Sequence, residues 1–516
     1  MGLILWIAVL VVTLLYALRR LLRKTVVSDL PGPEPESFWL GNLPELFQPQ
    51  AGVTDFKWQD QYGGVVHIKA PFGEDMLVIS DPKALQYIYQ TSGYNFPKQP
   101  ERRILSRLVA DNGLTWAEGE THKRQRKVML PAFGTPESKN LLPVFRHYAE
   151  QVTLKWKDLL AEVPEQSCIF NVPKYIAPAT LEAIGEAAFD YKLGVFENSE
   201  NELAKAYNNL VATIFSAPST TKIFMQNLTH YIPMSILEVL YDHLPGKGLD
   251  KARKGNRDIM SILVNSNASE NGQARLSHKE MISQMRTILL AGQETTSNTL
   301  SFALLELARH PWMQTRLRAE IRDAERALFE RGASEFTVAD LEAIPYLQAV
   351  LKEVLRFHPV VPHNFRQSLK DDVLPLSKPI TTRSGKVIHE LPIRAGLRLV
   401  LSVAAYNRDK DVWGDDAHTF NPERWLEFKG KRGPTVGVIA ILTFAGGLRA
   451  CIGWRFAVYE VQAFLLELVS NFEFGLCEDL KRLRREQALV MVPTLEGEVE
   501  KGVQLPLRVS LAPREE

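Results

Sequence analysis

The sequence predicts a mainly α-helical fold with small β-sheets, preceded by one N-terminal transmembrane helix. Three observations predict it. Over residues 81–361 most segments carry apolar residues at helical spacing, punctuated by Pro and Gly clusters such as "LPGKGLDKARKGN" and "NSNASENGQ". Short β-rich runs bounded by turn residues flank this helical bulk on either side. Ahead of everything stands an uncharged apolar run, "GLILWIAVLVVTLLYAL" (residues 2–18).

That first run is the membrane signal. Its Leu, Ile and Val residues favour insertion by roughly 0.3–0.6 kcal/mol each, about 3–6 kcal/mol together. No basic residue precedes the run and no small-residue cleavage site follows it, so an anchor is a better reading than a cleaved secretory peptide. It is slightly shorter than the usual ~20 residues, and Leu21 and Leu22 extend it if Arg19 and Arg20 snorkel. Arg19, Arg20, Arg23 and Lys24 all follow the span, which by the positive-inside rule puts everything downstream in the cytoplasm.

Residues 1–24 therefore read as a transmembrane anchor with a basic stop-transfer flank. "LPGPEPESFWLGNLPE" then gives a stiff, extended hinge over residues 25–45, because its prolines cannot sustain a helix. Residues 46–516 form the folded body. Within it, "VVHIKAPFGEDMLVIS" (residues 65–80) reads as a hairpin around a Gly-containing turn. Strand signals return in "LPLSKPITTRSGKVIHELPIRAGLRLVLSV" (residues 374–403) and recur in short pieces toward the C-terminal end.

Composition narrows the function classes. The net charge is +1, so nothing global points to nucleic acid. Cys168, Cys451 and Cys477 are too few and too scattered for a disulfide framework, and no CxxC pair suggests structural zinc, which together indicate a reducing compartment. There is no repeat period and no long low-complexity tract.

Cys451 lies in "TFAGGLRACIGWRFAVYE" (residues 443–460), just before an apolar segment that reads as a buried helix. Its sulfur would sit at a helix N-terminus, where unpaired N–H groups and the positive dipole end favour thiolate, the form a metal needs. Gly446, Gly447 and Gly453 would let the backbone approach something flat and bulky. The plain alternative is a buried core cysteine beside a glycine turn. The spacing Phe444-x-x-Gly447-x-Arg449-x-Cys451-x-Gly453, however, resembles the haem-binding loop of the cytochrome P450 family. At about one in twenty per position, five fixed positions match by chance on the order of 10⁻⁴ times per chain. The resemblance implies that Cys451 is the axial thiolate on the iron of haem b (iron protoporphyrin IX), pushing electron density toward O–O cleavage. Ala445 and Leu448 stand where many relatives have glycine and proline.

Further segments resemble the same family, in order. Glu353-Val-Leu-Arg356, in "PYLQAVLKEVLRFHP", places an acid and a base at i,i+3 on a helix, alone most often a solvated pair. It resembles the family's ExxR pair, and "FNPERW" downstream supplies Arg424 to complete a buried Glu-Arg-Arg network on the haem's proximal side. Trp425 replaces the more usual phenylalanine. "MRTILLAGQETTSNTLSFALLELARH" sets Gly292, Glu294 and Thr295 in an apolar helix. Thr295 could simply back-bond to its own helix while Glu294 reaches solvent. The resemblance to the pattern A/G-G-x-E/D-T implies instead that Gly292 opens a groove beside oxygen. Glu294 and Thr295 then deliver protons, limiting the loss of reduced oxygen as peroxide.

"GETHKRQRKVMLPAF" (residues 119–133) gathers Lys123, Arg124, Arg126 and Lys127 in a helical segment, ordinarily a solvated basic face. The resemblance implies that His122 and Arg126, which share one side at i,i+4, meet the haem propionates together with Arg449 and Arg366. Lys123, Arg124 and Lys127 would face outward and steer an acidic electron-donor protein. No base-stacking aromatics interleave them, so nucleic acid is a poor competitor.

Taken over residues 46–516, the resemblance implies the cytochrome P450 fold and a haem-thiolate monooxygenase that hydroxylates or otherwise oxidises a lipophilic small molecule with O2. Electrons would come from NADPH through a separate diflavin reductase, with cytochrome b5 as a second donor; the chain's lack of a GxGxxG site agrees with a separate partner. The location implied is the endoplasmic reticulum membrane, single-pass, with the catalytic domain cytosolic. Residues 96–115 and "TIFSAPSTTKIFMQNLTHYIPMSILEVLY", apolar with scattered hydroxyls, are expected to line the pocket. "CIGWRFAVYE" and "EGETHKRQRK" most resemble fungal, particularly basidiomycete, members, many of which oxidise terpenoids or other secondary metabolites. The alternatives are an isomerase or dehydratase of this fold that uses no external O2, and a non-catalytic haem-binding protein. An intact Glu294–Thr295 pair disfavours both.

Overall fold

The structure, a computed structural model, describes residues 26–196, 218–243, 275–426, 437 and 441–513. The expected transmembrane span and its basic flank lie outside these residues. Among the described residues no helix is long and apolar enough to cross a membrane.

The body is mainly helical with small sheets. Its first part runs β1 (Val65–Lys69), β2 (Asp75–Ile79), α1 (Pro100–Ala110), α2 (Gly119–Met129), α3 (Leu142–Ala161), β3 (Ser167–Asn171) and α4 (Pro173–Phe189). There follow α5 (Thr220–Leu228), α6 (Met234–Asp242), α7 (His278–Arg309), α8 (Pro311–Glu330) and α9 (Pro345–Phe357). Next come β4 (His363–Gln367), β5 (Asp372–Thr381), β6 (Val387–Ile393) and β7 (Arg398–Ser402). The C-terminal part holds α10 (Trp454–Asn471), β8 (Phe472–Gly475), β9 (Leu483–Gln487), β10 (Met491–Leu495) and β11 (Pro506–Leu511).

Helix α7 is the axis of this body. Its 32 residues span about 48 Å at 1.5 Å per residue. A capping box between Ser277 and Glu280 satisfies the first N–H groups and starts it. Residues 300–308 are all buried, so that stretch has no solvent face; α4, α9 and α10 enclose the helix. Leu300, Phe302, Leu304 and Leu307 share one core with Leu347 and Val350 of α9 and Phe464 and Leu465 of α10. Each such side chain contributes about 1.5–3 kcal/mol relative to exposure. Just past α9, His358 stacks on Phe302 at 4.7 Å and bonds the Glu306 carboxylate at 2.8 Å, locking α9 to α7.

Aromatic packing seats α3 on the sheet ordered β3-β11-β8. Trp156 is fully buried, with ring centroids of Phe170, Tyr175, Phe472 and Phe474 at 5.3–6.2 Å. A second apolar core lies under the four-stranded sheet ordered β1-β2-β7-β4. The predicted hairpin of residues 65–80 is present, with Val65 opposite Ile79. Its sheet is completed by strands from the far half of the chain: β7 pairs parallel to β2, Leu77 against Leu399, and β4 pairs antiparallel to β7. Within residues 374–403, β5 and β6 form their own antiparallel pair.

The proline-rich segment expected to act as a spacer is seated on the body over its described part. Leu30 is fully buried in the second core, the His67 N–H donates to the Pro31 carbonyl at 3.0 Å, and the Arg383 N–H donates to the Asp29 carbonyl at 2.7 Å. Residues 31–35 run without helix, as the prolines predict, but Pro44 stands in the first turn of a short helix, Leu43–Phe47, where its missing N–H costs nothing, so the expectation of no helix fails at that end.

Candidate active site

The loop around Cys451 is built by one hydrogen bond and two unusual backbone positions. The Cys451 N–H donates to the Phe444 carbonyl at 2.8 Å, closing the turn. Ala445 sits at φ +55°, ψ −160°, a region populated almost only by glycine, at a cost of about 1–3 kcal/mol. The departure from the family's glycine is thus a strained one. Gly447, at φ +61°, admits no other residue: a Cβ there would lie 1.9 Å from the Tyr89 carbonyl oxygen. Gly446 also faces Tyr89, at 3.3 Å. These two glycines let the loop press against the backbone of residues 87–91. Gly453 has only ordinary contacts around a Cβ and caps α10, which begins at Trp454 as predicted. Leu448 is exposed.

Cys451 has accessible surface, yet burial is the largest influence on its thiol, so it opens on the cavity it lines rather than on bulk water. Burial pushes the thiol up, against the Gly453 N–H and the Arg126 charge that pull it down. The helix N-terminus alone does not make a thiolate here; a bound cation must supply the rest. Cys168 and Cys477 are free thiols too.

The cavity, of ≈ 380 Å³, gathers Lys98, His122, Arg126, Arg366 and Arg449 with Cys451 on its walls. Arg126 donates to the Ala450 carbonyl at 2.8 Å, beside the cysteine. Arg366 on β4 faces Lys98 through a backbone bridge and is buried. Arg449 pairs with Glu118 through one nitrogen, while its Nε and Nη1 are buried without a hydrogen-bond partner. His122 Nδ1 meets the Tyr94 hydroxyl at 2.9 Å. Burial, then the charges of Arg449 and Lys98, push the His122 imidazole down to about 3, so it is neutral at pH 7. Burial likewise pushes Lys98 down to about 7, opposed by Glu118. Glu118 is the carboxylate set among these cations, so they outnumber it. Surplus buried positive charge, unused Arg449 donors and a cavity-facing thiol are what a haem with two propionates requires, and the residues fit that group.

On α7, Thr287 and Ala291 line the cavity, and Thr295 follows one turn on. The Thr295 hydroxyl donates to the Ala291 carbonyl at 2.6 Å, so the back-bonding alternative holds for it. Glu294, however, is 7% exposed and does not reach solvent. Gly292 packs against α4, where a Cβ would lie 2.8 Å from Ile184. On α2, Arg124 is held by Glu280 and by the Arg275 carbonyl, and Lys123 by Glu120. Lys127 is exposed as expected.

The acid–base pair of α9 is wholly buried. Arg356 grips Glu353 through two bonds of 2.7 and 2.9 Å, and Arg424 adds a third donor at 3.1 Å. Trp425 explains its own substitution: its indole N–H donates to Glu353 Oε2 at 2.9 Å, which phenylalanine could not do. Burial pushes the Glu353 carboxyl up, but the bond and charge of Arg356, with Arg424, hold it below the usual carboxylate range. Arg424 in turn binds Asp416 at 2.8 Å. Arg356 donates to the Asn407 carbonyl at 2.7 Å, Asn407 Nδ2 donates to the Thr443 hydroxyl at 2.9 Å, and Thr443 donates to the Leu355 carbonyl at 2.6 Å. The network therefore reaches the start of the Cys451 loop. Asn407, Asp416, Glu118, Lys98 and Tyr94 were missed by sequence reasoning. Glu118 lies within "EGETHKRQRK" and Lys98 within the expected pocket stretch 96–115, but neither was singled out, and Asn407, Asp416 and Tyr94 lie outside the quoted motifs.

Comparison with known proteins agrees with this site and fold. The family model for cytochrome P450 matches residues 31–500, and the chain belongs to that family. Among relatives, "Cytochrome P450 monooxygenase claQ" of Ampulloclitocybe clavipes is 30% identical over 522 residues, covering 95% of this chain and 94% of the relative. "Cytochrome P450 monooxygenase 91" of Postia placenta is 31% identical over 511 residues, covering 91% and 92%. The enzyme class is that of a cytochrome P450 monooxygenase.

Trp425→Phe is expected to lower unfolding free energy by about 1.5–3 kcal/mol, the worth of a donor to a buried charge, in urea denaturation. Arg424→Ala, which strips a guanidinium from both Glu353 and Asp416, is expected to cost more, about 3–5 kcal/mol. A Trp425→Phe variant as stable as wild type would show that the indole donor carries nothing.

Proposed function

We infer that the chain is a membrane-anchored haem-thiolate monooxygenase that oxidises a lipophilic small molecule with O2, drawing electrons from NADPH through a separate diflavin reductase. A terpenoid or another fungal secondary metabolite is the substrate class this reading favours. The observation that carries it is the cavity itself: Cys451 and a surplus of buried cations line it together with Thr287 and Ala291 of α7.

Bound haem would supply the one-electron and oxygen chemistry. The chain does the rest. Cys451 would ligate the iron, and Arg126, Arg366, Arg449, Lys98 and neutral His122 would hold the propionates. Phe47, Leu105, Leu114, Ile223, Val361 and Leu489 give the cavity an apolar lining that admits a lipophilic substrate and excludes bulk water. Thr295 and buried Glu294 lie one turn beyond Ala291, where a hydroxyl released from its back-bond can pass a proton. With Arg124 held by Glu280, the exposed Lys123 and Lys127 are the cations of this helix placed to meet a reductase.

An exposed aromatic patch supports a membrane-facing surface. Trp39, 60% exposed, and Phe38 meet Phe72, which also contacts Phe224 and Tyr231. Ile236, Val239 and Leu240 of α6 are exposed a few residues further on. Tryptophan and tyrosine beside apolar side chains suit the bilayer interface. This patch is carried partly by the segment that leads back to the anchor.

Three outcomes test the reading. Dithionite-reduced membranes given carbon monoxide are expected to show a strongly red-shifted Soret band that Cys451→Ala loses; a variant that kept the band would remove the cysteine from the iron. Thr295→Ala is expected to keep the band but to divert NADPH-derived electrons to peroxide, with product formation falling roughly tenfold or more. Unchanged coupling would leave Thr295 with its back-bond alone. After alkaline carbonate extraction the full-length chain should stay in the membrane pellet while a chain lacking residues 1–24 is released; full-length protein in the supernatant would sink the anchor.

A further inference from the structure

One cation of the cavity wall stands outside the cluster assigned to the propionates. Arg102 of α1 lines the cavity, with its guanidinium carbon 3.6 Å from the Phe365 ring centroid and 5.3 Å from that of Phe47. The charges that bear on it are Glu101 and Arg398, whereas Lys98, His122, Arg366 and Arg449 bear on one another. Burial pushes the Arg102 guanidinium down only to about 10, so it is cationic at neutral pH.

Its neighbours leave it without an acceptor. The adjacent Glu101 carboxylate is bound to Arg398 of β7 at 2.5 Å and faces His230 at 3.4 Å. Among the described residues no hydrogen bond is made by the Arg102 guanidinium, although its N–H groups form a planar fork suited to a carboxylate. Stacking on two rings holds the plane in place but satisfies none of those donors. A partly buried charge with its hydrogen-bonding edge unused, in the wall of a substrate cavity, asks for an anion.

We propose that Arg102 anchors the carboxylate of a lipophilic carboxylic acid substrate, fixing which end of the molecule lies away from Cys451. The proposal rests on the monooxygenase reading of the cavity and narrows its substrate class. A single charge is called for, because Arg102 is the one cavity-lining cation outside the propionate cluster among the described residues and is flanked by the Phe47 and Phe365 rings.

The test is a binding titration of the full-length holoenzyme in detergent, followed by the Soret shift and by calorimetry. The probes are dodecanoic acid and abietic acid, each beside its own methyl ester. Wild type is expected to bind at least one acid roughly tenfold or more tighter than its ester, the worth of a charged hydrogen bond. Arg102→Gln is expected to erase that difference while leaving ester affinity and the carbon monoxide band unchanged, and Arg102→Lys to restore part of it. Equal affinity of acid and ester in wild type, a preference that survives Arg102→Gln, or no acid binding at all would overturn the proposal. Loss of haem from Arg102→Gln would overturn it too, by placing Arg102 among the propionate cations. A missing thiolate-type band in wild type, with Arg102-dependent acid binding still seen by calorimetry, would instead sink the monooxygenase reading and leave the anion site standing.

Discussion

A carboxylate with no access to water must be surrounded by donors, and the proximal half of this molecule is arranged around one. Glu353 receives Arg356, Arg424, the Trp425 indole and the Asn421 backbone N–H. Those donors come from three places in the chain: α9 itself, the turn at Asn421 and the short helix Glu423–Leu426. Satisfying the charge therefore fixes where these segments stand. The same guanidinium that grips Glu353 reaches the Asn407 carbonyl, and Asn407 holds Thr443 at the root of the cysteine loop. A rigid charge network thus sets the position of a loop that would otherwise be free to move on its glycines.

The loop's own backbone adds a second constraint. It presses so closely on residues 87–91 that Gly447 can carry no side chain, and it forces Ala445 into a glycine-like conformation. Strain of that kind persists only where the surroundings over-determine the backbone, and here they do so on both sides of Cys451. Opposite, α7 brings a continuous helix with Ala291 in the wall. Between them lies a cavity whose charged residues are mostly positive, in a chain whose net charge is only +1. Local charge surplus and global neutrality coexist because the compensating acids are on other surfaces.

Much of the site was legible because it is local. Residues 444–453 form one turn, Glu353 and Arg356 are neighbours on one helix face, and residues 65–80 fold back on themselves; sequence spacing alone determines such contacts. Roles that depend on distant chain were not legible. The close packing of Gly446 and Gly447 on Tyr89 and of Gly292 on Ile184 could not be read from spacing, because those partners lie far off in the chain. Arg124 looked solvent-facing until Glu280, 156 residues on, closed on it. Why Trp425 stands where phenylalanine is more usual emerged only when its N–H was found on Glu353.

By itself the sequence determined a mainly helical body, its hairpins, the cysteine loop and the acid–base pairs, since those depend on backbone periodicity, turn chemistry and spacings of a few residues. Only the tertiary structure decided that β7 joins β2, that Lys98 and Glu118 sit with Arg449, and that Arg102 lies in the cavity wall stacked on Phe47 and Phe365. The reason is physical: a buried charge is placed by whichever partner the completed fold brings within a few ångströms, and no short stretch of sequence contains that partner.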